Sequence, residues 1–74
     1  MNGLNLYDVV ALTEDIPEEK LHEGQVGTIV EVYERGKAFE VDFVNQADGH
    51  TYALLTLRPE QVMQLHYGPV LAAA

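Results

Sequence analysis

Between Phe39 and Phe43 the chain alternates apolar and acidic residues without a break, as Phe39, Glu40, Val41, Asp42, Phe43. A period of two with one polar side is the mark of a strand with one wet face. Residues 28–33, TIVEVY, are almost all β-branched or aromatic, the types that fit a pleated, half-buried surface. Between these runs lie Glu34, Arg35, Gly36 and Lys37. Gly36 takes a positive φ without steric cost, so the pattern predicts an antiparallel hairpin over 24–44 closed by a short loop. Gly24 and Gly27 stand at its entry, where a glycine marks a turn, a bulge or the close approach of another backbone. A phosphate-cradling loop would need a helix N-terminus next, and a strand follows instead.

The flanking segments supply three more strands. Residues 8–12, DVVAL, read as a short first strand, preceded by a lead-in whose Leu4, Leu6 and Tyr7 are available to cover one end of a core. Pro17 interrupts the polar stretch 13–23 and starts a helical turn with Glu18 and Glu19 near its positive end. Within that connection Ile16 and Leu21 are expected to tuck against the sheet. Asp48-Gly49 is a turn signal, predicting a second hairpin from 39–44 to 51–57. The run TYALLTL has apolar residues on both faces, as for a strand covered on two sides. Pro59 then favours a 3₁₀ turn before a last strand over 62–66. Five short antiparallel strands, a long first connection, two tight hairpins and a 3₁₀ turn before the last strand make an all-β SH3-like barrel. Val10, Leu12, Val26, Ile29, Val32, Phe39, Val41, Phe43, Leu55, Leu57 and Val62 are its expected core. An oligonucleotide-binding barrel would need a helix between its third and fourth strands, and residues 45–50 are too few to hold one.

Composition narrows the function classes. With 74 residues the chain makes one domain, read as 1–71, with Ala72, Ala73 and Ala74 as a disordered tail or a vector remnant. A domain of this size buries only about 60% of the surface its unfolded chain exposes, so its core is small. Twelve acidic against four basic residues give a net charge of -8. Nucleic acid and anionic membrane surfaces are disfavoured as partners, because Lys20, Arg35, Lys37 and Arg58 are scattered along the chain. No apolar run approaches the roughly 20 residues of a membrane span, and no signal-peptide pattern opens the chain. The absence of cysteine removes disulfides and thiolate metal sites and suits a cytoplasmic location.

Candidate chemistry is sparse. His22, His50 and His66 are too far apart for a local metal motif, and neither a metal nor a cofactor is expected. There is no serine, and paired carboxylates do acid–base work only in a cleft that separates their pKa values, so the chain is not expected to be an enzyme. The surface carries more. Glu40 and Asp42 share a strand face, Glu31 lies on the neighbouring strand, and Tyr33 and Tyr52 lie beside them. Tyrosine is enriched at recognition surfaces, so Glu31, Tyr33, Glu40, Asp42 and Tyr52 form the candidate binding patch for a basic protein partner. The competing role for Tyr7, Tyr33, Tyr52 and Tyr67 is to cap the open ends of the barrel. A small-ligand or metal-binding domain using the acidic face is the alternative function, and self-association through an edge strand a further one.

The segments LYDVVALTEDIPEE, EGQVGTIVEVY, AFEVDFV and TYALLTLRPEQV resemble a family of small bacterial proteins described as domain of unknown function 4926. The resemblance spans residues 6–65, and its most specific part pairs GQVGTIVEV with LTLRPEQV. It implies an SH3-like barrel, in agreement with the reading from residues. Members are often encoded beside uncharacterised or toxin-like small proteins, so the resemblance implies a binding partner without supplying a functional residue, and the chain is read as a non-enzymatic accessory or antitoxin-like interaction module. More distantly, the strand pattern is similar to the SH3-like barrel of the nitrile hydratase β subunit.

Overall fold

In a computed structural model that describes residues 3–45 and 47–66, the chain forms strands β1 (Val9–Leu12), β2 (Val26–Tyr33), β3 (Ala38–Val44), β4 (Thr51–Leu57) and β5 (Val62–Gln64). They make one antiparallel sheet in the order β4-β3-β2-β1-β5. Among the described residues three 3₁₀ turns punctuate it, at Pro17–Glu19, Glu34–Gly36 and Pro59–Gln61. All five strands contribute to a single apolar cluster, Val10 and Leu12 from β1, Ile29 from β2, Phe39, Val41 and Phe43 from β3, Leu57 from β4 and Val62 from β5. One sheet can gather all its strands around one cluster only by curling, which is the SH3-like arrangement expected from the sequence. Among the described residues β4 and β5 do not pair, so the barrel stays open between its two edges.

Eight of the eleven expected core residues are fully buried, and Val32 and Leu55 pack against them half-buried. Ile16 and Leu21 are buried as expected, each bonding the other's carbonyl so that the long connection folds down as a flap. The exception is Val26. Ile29 faces Val41 on the inner side, and counting back by two lands on Gly27, opposite Val10, so Val26 pairs with Ala11 on the other face. Parity along the strand decides the matter.

Gly27 is an inner-face residue without a side chain because there is no room for one. A Cβ built there would stand 2.7 Å from Val41 Cγ1 and 3.0 Å from both the Asp42 carbonyl oxygen and Phe43 Cδ1. Of the readings open for a glycine at the entry of β2, close approach of neighbouring atoms is the one realised here. Gly24, with φ of 91°, is a turn residue.

Two bulges set which side chains reach the outer face. In β2, Ile29 pairs with Val41 and Glu31 with Glu40, so Val30 is an extra residue and the alternation is shifted by one. The shift lets Ile29 and Val32, three apart, both point inward, and it sends Glu31 and Tyr33 outward. In β4, Phe43 pairs with Ala53 and Val44 with Thr51, which makes Tyr52 the extra residue. The expectation that β4 is covered on two sides is overturned. It is an edge strand, with Tyr52 49% and Leu54 53% exposed, because the barrel stays open and, among the described residues, no strand or loop lies over its outer side. The β2–β3 tip is also tighter than its glycine alone required, since Glu34 and Arg35 share the left-handed backbone of Gly36, at φ of 50°, 60° and 97°.

Candidate functional site

The outer face of β2, β3 and β4 brings four of the five expected patch residues together. Glu31 and Glu40 are directly opposite each other on β2 and β3. Asp42 lies two residues along β3 on the same face, opposite Thr28 on one side and Leu54 on the other. Tyr33 sits at the end of β2, opposite Ala38, and its hydroxyl donates to Glu40 Oε1 at 3.2 Å. Thr56 donates to the same oxygen at 2.8 Å, and Thr51 donates to Asp42 Oδ1 at 2.8 Å. Each bond is between neighbouring strands, so the sheet itself holds these carboxylates in place.

Tyr52 is placed differently. Its ring packs against Phe43 with centroids 6.3 Å apart, and its hydroxyl accepts a hydrogen bond from Gln25 Nε2 at 2.9 Å. Since Phe43 is a core residue, the contacts of Tyr52 are those of a lid at one end of the core. The bulge at Tyr52 causes this: it leaves Thr51 with Asp42 and turns the next side chain away. Leu4 packs against the core while Leu6 and Tyr7 stay exposed. Tyr67 and residues 72–74 lie outside the described residues.

The electrostatics of the face are uncompensated. Among the described residues the ion pairs are Arg58–Glu60 at 2.7 Å and His50–Asp48 at 3.4 Å, and neither involves Glu31, Glu40 or Asp42. Like charges directly across a strand pair oppose pairing. Partial desolvation, the hydrogen bond to Glu40 and the charges of Glu40 and Glu31 together raise the Tyr33 phenol above its usual range. A raised pKa means that the folded chain keeps this proton after the unfolded chain has lost it. The stability contributed by Tyr33 is therefore complete at neutral pH and is lost as pH climbs above about 10, the ordinary tyrosine value. In Glu40→Gln the phenol is expected to titrate earlier, which ultraviolet difference titration against the wild type would detect. An unchanged tyrosine curve would show that Glu40 does not hold it.

The carboxylates bear on two of the chemistries weighed from the sequence. Among the described residues no group of three or more histidine, aspartate or glutamate side chains is arranged to hold a metal ion. His22, His50 and His66 are each exposed on different parts of the fold. An open hollow lined by Asp15, Pro17, Lys20, Leu21 and His22 lies in the flap, away from the acidic face. No helix among the described residues is long and apolar enough to cross a membrane.

The bulge at Val30 is what sequence reasoning did not identify, although it was implicit in the expectation that Ile29 and Val32 both face inward. Two inward residues three apart in a strand require an extra residue between them. Thr51 and Thr56 were also missed, because their part is fixed by the register of β4 against β3.

Comparison with known proteins gives one family. The sequence profile described as "Domain of unknown function (DUF4926)" matches residues 6–64. No curated protein and no solved structure matches the chain, and the resemblance to the nitrile hydratase β subunit expected from the strand pattern is not shown.

Proposed function

Because this chain belongs to the family described as a domain of unknown function (DUF4926), we propose its function from its own surface: a non-enzymatic interaction module that binds a basic protein. In this reading it is a cytoplasmic accessory or antitoxin-like subunit of a bacterial cell. The observation that supports it is the outer face, where Glu31, Glu40 and Asp42 stand beside Tyr33 with no cationic side chain of the described residues paired to them. A row of fixed carboxylates without internal cations attracts lysine and arginine and speeds encounter with a positively charged surface. The neighbouring tyrosine ring adds apolar area and a face for a cation. Sequences depart from locally favourable pairing mainly at functional sites, and Glu31 opposite Glu40 is such a departure.

The test is affinity capture from the native cell at low and high salt, with wild type, Tyr33→Ala and Tyr52→Ala. The expected result is a basic protein retained by wild type, released as salt rises, and lost with Tyr33→Ala while circular dichroism stays unchanged. Tyr52→Ala should keep capture and lower stability by about 1 kcal/mol, since it removes an aromatic contact with the core. Recovery of nothing but the chain itself would sink the proposal.

A further inference from the structure

We propose that two copies of this chain pair through β4, edge to edge and antiparallel, about a two-fold axis at Leu55, to give a continuous ten-stranded sheet. The sheet has two edges, and they differ. β5 has three residues, Val62–Gln64, and follows directly on the Pro59–Gln61 turn. β4 has seven residues, Thr51–Leu57, and contains no charge and no proline, so it lacks those two common protections of an exposed edge. Among the described residues its one protective device is the bulge at Tyr52, which leaves residues 53–57 in unbroken register against β3.

The register follows from that regular stretch. Antiparallel pairing of residues 53–57 with their own copy matches Leu55 with Leu55, Leu54 with Thr56 and Ala53 with Leu57. Ala53 and Leu55 point toward the core yet remain only half-buried, because the core is open at this edge. A second copy brings the same side chains to the same opening and covers them.

Charge favours a second copy over a strand of a charged partner. A chain of net charge -8 repels itself, so copies can meet only where the charge is absent, and every cross-strand pair in this register is uncharged. The nearest carboxylates, Glu40 and Asp42, are on β3. Those of the two copies would be three strand spacings apart, about 14 Å, which is beyond the roughly 8 Å Debye length at physiological salt. An acidic or basic strand would find no counter-charge on β4. The outer face proposed for the basic partner remains free in such a dimer, so the two proposals stand or fall separately.

Analytical ultracentrifugation tests the association and single cysteines test the register, since the chain has none of its own. Wild type is expected to sediment as a dimer at micromolar concentration and Leu54→Lys as a monomer with unchanged circular dichroism. The new lysine would face Asp42 on its own sheet, sparing the fold, and would give the edge the residue that most often blocks pairing. Leu55→Cys should cross-link to its copy under mild oxidation, because opposed residues of an antiparallel pair lie within disulfide reach. Met63→Cys, exposed on β5, should not. A wild-type monomer at all concentrations, a dimer that survives Leu54→Lys, or cross-linking at Met63 but not at a folded Leu55→Cys would each overturn the proposal. Should Leu55→Cys fail to fold, sedimentation of wild type and Leu54→Lys decides.

Discussion

Gly27→Ala is expected to destabilise the fold by about 1–3 kcal/mol, the usual cost of forcing atoms into a packed core. Its direction is not obvious from the residue types, because alanine suits a strand better than glycine and on propensity alone should help. The space decides against it. The added carbon would lie 2.7 Å from Val41 Cγ1, with the Asp42 carbonyl and the Phe43 ring at 3.0 Å. Val41 and Phe43 are fully buried among the other strands' side chains and have nowhere to retreat, and the Asp42 carbonyl belongs to the backbone of β3. The effect is large for this chain. Domains hold roughly 0.05–0.15 kcal/mol per residue, which for one of this length is about 4–11 kcal/mol in all. Urea unfolding would show a lower midpoint at unchanged slope. A neutral or stabilised Gly27→Ala would mean that β2 and β3 can separate at this point, and the account of the core would need revision.

The same glycine shows how much of the fold is legible in the sequence. Strand alternation in residues 39–43, the turn residues at 34–37 and 48–49, and Pro59 ahead of the last strand are local signals, and local signals place elements. The hairpins, the element order and the SH3-like arrangement follow from them, whereas the opening between β4 and β5 does not. What the local pattern could not supply was parity. Whether Val26 or Gly27 faces the core depends on register against β1 and β3, and one residue of offset reverses the answer. The candidate site had the same limit. Glu40 and Asp42 share a face by simple alternation, which a sequence shows. Glu31 and Tyr33 join them only because Val30 is extra, and Tyr52 departs only because it is itself the extra residue in β4. The exposure of Leu54 was hidden for another reason: an apolar run reads the same at a sheet edge as in its middle, and only the strand order separates the two.

The bulge at Val30 also links stability to the proposed function. Without it, Glu31 would point into the core and Val32 outward, an arrangement ruled out by the cost of burying an unpaired charge. With it, the core gains Val32 and the outer face receives a third carboxylate, placed opposite Glu40. The core therefore forces the presence of residue 31 on that face but says nothing about its charge. A lysine or threonine there would satisfy the fold equally well and would relieve the repulsion across the strands.

Glu31→Lys should accordingly move stability and binding in opposite directions. The substitution replaces a like-charge cross-strand pair by an opposite-charge one, an ammonium facing the Glu40 carboxylate, and is expected to stabilise the chain by about 0.5–1 kcal/mol. The position is exposed, so the gain should shrink as salt is added. Over the same substitution the face loses one carboxylate and gains a cation that occupies another. Affinity for a basic partner should fall at least about tenfold, in keeping with the roughly 2–5 kcal/mol that losing one side of a close interfacial charge pair can cost. Thermal unfolding and a binding titration on the same preparation measure both quantities. A variant that unfolds more readily would show that Glu31 takes no part in the repulsion, and one that binds the captured protein as well as wild type would show that it takes no part in the patch. More stable and less competent together is the outcome that separates a recognition face from an ordinary solvated one, because a merely solvated face gains from the substitution and loses nothing.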